Sequence, residues 1–162
     1  DGALCGDIVE DMSLSGEVSL TCQTFVREGA TLTIEPGTTI KASNLGPDAA
    51  AAALIVSRGA KIVAEGTADA PITFTTALPI DPNSPDFMDT PHSGLWGGLV
   101  ILGNAPVYGD VQEVEGIAGA LYGGNNPQDN SGSLRYVRVW YGGSEVSPNP
   151  RRQSAMHSYS YY

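Results

Sequence analysis

The feature that most constrains the fold is an internal repeat. Residues 26–40 read VREGATLTIEPGTTI, and residues 56–67 read VSRGAKIVAEGT, so that Val26 matches Val56 and a Gly-Ala pair follows in both copies. A third partial copy, GGLVILGNAPVYG, occupies residues 97–109. Such ordered recurrence is typical of solenoids, in which each unit buries its apolar side only by stacking on a neighbour.

Each copy alternates apolar and polar residues, a period of two that predicts strands with one solvated face. The third copy follows the second at an offset of 45 residues, and SLRYVRVWYGG at 133–143 predicts a further strand that resembles APITFTT at 70–76. The offset matches Leu99, Ile101, Ala105 and Val107 with Leu54, Val56, Ala60 and Ile62.

We therefore expect an all-β chain that forms a right-handed parallel β-helix of about three coils. The uneven repeat spacing predicts long corner loops at residues 44–50, 78–94 and 109–132, which are rich in turn-forming residues. A β-sandwich also uses short strands and turns, but it does not predict a repeated Gly-Ala corner.

The same stretches carry a family resemblance. GATLTIEPGTTIKA, ALIVSRGAKIVAEGTADAPITFTT, GLWGGLVILGNAPV and YGGNNPQDNSGSLRYVRVWYGG resemble secreted parallel β-helix proteins, mostly known as hypothetical proteins or lipoproteins of bacterial surfaces and some microbial eukaryotes. The resemblance runs from about residue 16 to residue 146. It implies a pectin-lyase-like superhelix and export, and it implies no established enzymatic activity.

The repeat divides the chain into three predicted parts: an N-terminal capping segment (1–25), the coils (26–146) and a C-terminal tail (147–162). Cys5 and Cys22 lie seventeen residues apart in the first part. In an oxidising compartment they are expected to form a disulfide, worth about 3 kcal/mol for a loop of this size. The alternative is a pair of buried thiols.

Composition narrows the function classes. Eighteen acidic and eight basic residues give a net charge of −10, which argues against a nucleic-acid partner. No apolar run is long enough to span a membrane. The first residues are typical of a secreted chain after removal of its signal peptide, and a cytosolic fragment would begin in the same way. We expect an extracellular or cell-surface protein.

Few residues suggest a catalytic or ligand-binding site, and we predict no catalytic residue. A polysaccharide lyase needs a base close to calcium-binding carboxylates, and the spacing of Arg and Asp residues does not place the two together. Asp81, Asp86 and Asp89 form a candidate weak calcium site, and no other cofactor is expected. Trp96, in GLWGG, is either a glycan contact or a ring that caps the interior at a corner.

The ends of an open β-helix expose unpaired strand edges, which favour pairing with another chain. Tyr159, Tyr161 and Tyr162 alternate with serines in the tail and form a candidate assembly interface. We predict a structural subunit that binds copies of itself head to tail and forms a filament, sheath or surface layer. Alternatives are a frayed tail, a surface glycan-binding module that uses loops 78–94 and 109–132, and a polysaccharide lyase.

Overall fold

The computed structural model describes residues 3–43, 50–85 and 92–144, and every regular element in these ranges is a β-strand. Within them there is no helix that could cross a membrane. The strands are β1 (Leu4–Ile8), β2 (Met12–Leu14), β3 (Glu17–Val26), β4 (Thr31–Ile34), β5 (Thr39–Ala42), β6 (Ala53–Val56), β7 (Lys61–Glu65), β8 (Ile72–Thr76), β9 (Gly98–Ile101), β10 (Gln112–Glu113), β11 (Leu121–Tyr122), β12 (Gly132–Arg135) and β13 (Val137–Val139).

Parallel pairing arranges these strands in three stacks. Sheet I contains β1, residues 23–26 of β3, β6 and β9. Sheet II contains β2, β4, β7 and β12. Sheet III contains residues 17–20 of β3, β5, β8 and β13. The chain visits sheets I, II and III in turn and then returns to sheet I, so the predicted parallel β-helix is confirmed.

The strand register matches the internal repeat to the residue. Val26 pairs with Val56, and Leu32 pairs with Ile62. Each Gly-Ala corner turns the chain from sheet I to sheet II: Gly29 has a φ of 88°, and the Ala30 N–H donates to the Arg27 carbonyl at 3.0 Å. Glycine adopts this backbone conformation without a steric penalty, which explains why the pair recurs.

The prediction for the third copy is right only in its first half. Leu99 and Ile101 pair with Leu54 and Val56 as expected. The matches of Ala105 with Ala60 and of Val107 with Ile62 are wrong, because Ile62 pairs with Gly132. Residues 102–131, which we call the covering insertion, separate β9 from β12 and contain the antiparallel hairpin β10–β11.

The predicted strand at 133–143 is likewise divided. Tyr136 has a φ of 48° and lies between β12 and β13, at the point where the chain turns from sheet II to sheet III. The alternation of inward and outward residues is interrupted there. Leu134 points inward before the turn and pairs with Ala64, and Val137 points inward after it and pairs with Ile72. The expected likeness to residues 70–76 is confirmed for β13, which pairs with β8, and is wrong for β12, which pairs with β7.

The described part of the chain contains four coils. Three of them lie in the range predicted for the coils, beginning with the end of β3, and residues 1–25 contribute another. In this first coil β1 pairs with β3, and β2 pairs with β4. The predicted disulfide is confirmed: Cys5 and Cys22 are bonded, with their Cα atoms 5.0 Å apart.

The main core is a column of aliphatic side chains that point inward from all three sheets. Leu32, Ile62 and Ile72 are buried at its centre. Because equivalent residues of successive coils lie in register, the inward side chains of the two middle coils are covered by the coil above and by the coil below.

A second, smaller core lies outside sheet I. Phe25 and Ile55 point outward from this sheet, and Leu102, Ile117 and Ala120 of the covering insertion pack on them. The insertion therefore covers the outer surface of sheet I. This burial on both sides explains why β6 reads ALIV without polar alternation and is buried at every position.

Candidate functional site

The most distinctive surface is the open end of the column at the last coil. In the described residues β9, β12 and β13 pair with a preceding strand on one side only. Their inward residues Ile101, Leu134 and Val139 are 40%, 42% and 47% exposed. We call this surface the last rim.

The exposure follows from position in the stack and not from residue type. Ile101 pairs with Val56, and Leu134 pairs with Ala64. Both partners are fully buried, because another coil covers them. The last rim thus presents an apolar core cross-section together with strand edges that no described residue pairs with, a combination that favours pairing with further strands.

The opposite end, formed by β1, β2 and residues 17–20 of β3, is more closed; we call it the first rim. Leu4 and Ile8 of β1 are buried although no described strand precedes them. The Cys5–Cys22 disulfide fixes β1 to β3 at a register shift between the two strands. Met12 and Val9 are exposed on this rim, and Leu14 and Val18 are partly exposed.

The two rims carry opposite charges. The strands of the last coil contain Arg135 and Arg138, both exposed, and no acidic residue. The first 26 residues contain five acidic residues and no basic one. Of these acids, Asp7 contacts Arg27 at 2.7 Å and Glu17 contacts Lys41 at 2.7 Å. A chain of net charge −10 therefore has a basic patch at one end of its column.

Aromatic side chains border the last rim. Trp140 is 45% exposed, and the guanidinium of Arg138 lies 5.6 Å from the centre of its ring. Tyr136, in the turn that precedes β13, is 56% exposed. Sequence reasoning missed Trp140; the alternation in VRVW, which places Arg138 and Trp140 on the outward side of the strand, is the signal that identifies it.

Trp96 is not a surface residue, so the predicted glycan contact at this position is wrong. Its side chain is fully buried, and its ring stacks on that of Phe74 with 6.4 Å between the ring centres. The indole N–H donates to the Trp140 carbonyl oxygen at 2.7 Å. Trp96 instead closes the interior at a corner, which was the alternative interpretation.

The calcium prediction is only partly within the described residues. Asp81 accepts a hydrogen bond from the Asn83 N–H at 2.9 Å, as the first residue of a turn. Asp86 and Asp89 lie outside the described residues, and so do Tyr159, Tyr161 and Tyr162 of the predicted interface. In the described ranges no three His, Cys, Asp or Glu residues converge in a metal-binding group. The calcium site and the tail interface remain predictions.

A cleft of about 280 Å³ lies at the corner between sheets I and II, beside the covering insertion. Arg58 donates to the Gly123 carbonyl oxygen at 2.7 Å, which ties the insertion to the corner. Arg27 contacts Asp7, and its guanidinium lies 4.3 Å from the centre of the Phe25 ring. Both arginines of the cleft are therefore engaged in contacts within the chain, and Arg58 holds the covering insertion at this corner.

Comparison with protein families gives one result. The family model described as a pectate-lyase-like beta helix domain matches residues 6–156, which is most of the chain. Comparison with curated proteins and with solved structures returns no match. The fold expected from the resemblance is thereby confirmed, and the chain belongs to this family.

Proposed function

We propose that this member of the pectate-lyase-like β-helix family is a secreted structural subunit that assembles head to tail. The observation that carries the proposal is the last rim, where the inward residues Ile101, Leu134 and Val139 of all three sheets are exposed together. A second copy that stacks its first rim on this surface would bury the apolar cross-section and pair the free strand edges.

The geometry of such a contact favours a filament. The two rims differ in sequence, charge and exposure, so the contact is heterologous, and each added copy presents a new last rim. An interface of this kind extends without limit unless its rotation closes a ring. Translation along the axis of a stacked column favours the open form.

The proposed location agrees with two observations. A disulfide persists in oxidising compartments and is rare in reducing ones. Domains of the pectate-lyase-like family are often extracellular. The proposal assigns no catalytic residue, and release of unsaturated products from uronate polymers by the purified protein would contradict that part of it.

The experiment compares the wild-type protein with a Leu134→Asp variant by negative-stain electron microscopy. The wild type is expected to form elongated particles, and the variant is expected not to, because the new carboxylate lies in the contact. The matched control is Leu121→Asp, since Leu121 is 38% exposed but belongs to the covering insertion. Monodisperse wild-type particles of monomer size would contradict the proposal.

A mixing experiment tests the direction of growth. A Leu134→Asp chain retains its first rim, so it is expected to add to the last rim of a growing wild-type filament and to block further addition. A minor fraction of the variant should therefore shorten the filaments. If the variant is merely left out and filament length does not change, the head-to-tail arrangement is wrong.

A second candidate function rests on Trp140. An exposed indole ring beside an arginine and a row of threonines on sheet III is a surface that suits a sugar ring and its hydroxyl or carboxylate groups. Screening on a glycan array would test this function. Binding that Trp140→Ala abolishes and that Tyr108→Ala, another exposed aromatic, leaves intact would favour it; equal binding by both variants would exclude it.

A further inference from the structure

We infer that successive copies dock in a single register, in which each sheet continues and Glu17 of the incoming copy lies beside Arg138. This inference rests on the proposed head-to-tail assembly and goes beyond it, because it specifies which residue of one rim meets which residue of the other. It follows from the columns of paired residues that run along the molecule.

The outward column of sheet III supplies the charged contact. Glu17 pairs with Thr39, Thr39 pairs with Thr73, and Thr73 pairs with Arg138. An acid therefore begins this column and a base ends it. Repetition of the same stacking step across an interface between two copies places the acid of one copy next to the base of the other.

The inward columns of all three sheets agree with the same register. In one inward column of each sheet, the residue that begins the column and the residue that ends it are both aliphatic. The three resulting contacts are Ile8 on Ile101 in sheet I, Leu14 on Leu134 in sheet II and Val18 on Val139 in sheet III. A shift by one residue would place outward side chains on inward ones in every sheet.

Both charged partners are accessible for the contact. The Glu17 side chain is 66% exposed although it contacts Lys41 of the next coil. Arg138 is exposed on the outward side of β13. Adjacent strands lie about 4.8 Å apart, so a guanidinium and a carboxylate at paired positions reach each other, and Glu17 would bridge Lys41 of its own chain and Arg138 of the neighbour.

The charges also select the polarity of assembly. Contact between two last rims would bring Arg135 and Arg138 of both copies to one interface, and contact between two first rims would bring two acidic segments together. Like charges across an interface disfavour those pairings, whereas opposite charges favour the head-to-tail one.

Cysteine cross-linking tests the register. One chain carries Arg138→Cys and the other carries Glu17→Cys, and the two are mixed under mild oxidation. Paired residues on adjacent strands have Cα atoms about 5 Å apart, within the range that a disulfide spans. The matched control replaces Glu17→Cys by Ser19→Cys, an exposed position two residues along the same strand, about 8 Å from the partner and beyond that range.

We expect at least about tenfold more cross-linked dimer from the 138/17 pair than from the 138/19 pair, a ratio equivalent to about 1.4 kcal/mol. Equal yields, or a higher yield from the 138/19 pair, would overturn the register. If wild-type filaments form but neither pair cross-links, the register is wrong and the proposed function stands. If the wild type forms no filaments, both fail.

Charge reversal provides a second readout that does not depend on cysteine chemistry. Arg138→Glu and Glu17→Arg each place like charges at the interface, so each is expected to raise the critical concentration for assembly about tenfold. The double variant restores opposite charges and is expected to return within about threefold of the wild type. A double variant no better than the worse single variant would overturn the inference.

Discussion

The two ends of the column have the same architecture but differ in how their apolar residues are covered. In the first coil Leu4 and Ile8 are buried, and a disulfide holds the terminal strand to its neighbour. In the last coil the inward residues Ile101, Leu134 and Val139 are 40%, 42% and 47% exposed. The difference shows that burial at the ends of the column depends on what covers the coil as well as on residue type, since Ile101 and Leu134 are exposed although the residues they pair with are fully buried.

The largest expected effect comes from detaching the last coil. Gly132 begins β12 with a φ of 118°, and a Cβ atom at this position would overlap the Ile62 carbonyl oxygen. Gly132→Ala should therefore separate β12 from β7 and lower the free energy of unfolding in urea by about 3–5 kcal/mol.

The control for this change is Gly119→Ala in the covering insertion. Gly119 has a φ of 80°, and a Cβ atom there would meet no other atom within 4 Å. The Gly119→Ala variant would carry only the strain of this backbone conformation, so we expect its free energy of unfolding to fall by about 1–2 kcal/mol. Equal losses for the two variants would mean that the close approach of β12 to β7 contributes nothing to stability.

The next prediction compares the stability lost when a buried leucine and an exposed leucine are replaced. Leu32 is fully buried in the second coil, whereas Leu134 lies on the last rim. Leu32→Ala should lower the free energy of unfolding by about 3–4 kcal/mol, because it leaves a cavity in the column. Leu134→Ala should cost under about 1 kcal/mol at protein concentrations too low for assembly.

Urea unfolding of the two variants measures this contrast directly. At high protein concentration the difference is expected to shrink, because assembly would then bury Leu134 as well. Equal losses for the two leucines at low concentration would contradict the description of the last rim as an uncovered surface.

The third prediction concerns the first rim. Replacement of Cys5 and Cys22 by serine should lower stability by about 3 kcal/mol, through release of a chain loop of 17 residues. Hydrogen exchange should accelerate mainly in β1, because the disulfide fixes this strand. Acceleration of similar size in β12 and β13 would show that the disulfide stabilises the whole stack and not one end of it.

The strand pairing of the middle coils could be predicted because the residues that match in the sequence repeat are the residues that pair on adjacent strands. Val26 and Val56, or Leu32 and Ile62, match in sequence because they pair in space. The first coil escaped detection because its corner lacks the Gly-Ala pair. There Asp11 takes part instead, through a side-chain oxygen that accepts the Thr31 N–H at 2.8 Å.

Other features depend on tertiary contacts that a repeat does not encode. The offset of 45 residues does not hold for the whole third copy, because the covering insertion interrupts it after β9. The unbroken apolar run in β6 was the available sign of a second layer over sheet I. Trp96 lies outside any alternating pattern, so its burial could not be deduced from periodicity, whereas the exposure of Trp140 could.

The most direct test of end-to-end assembly is sedimentation velocity of the wild-type protein over a wide range of concentration. We predict that the average mass rises continuously with concentration from the monomer value of 16.9 kDa, with no plateau, as open-ended addition requires. A mass that stays at 16.9 kDa, or one that levels off at twice this value, would contradict the account.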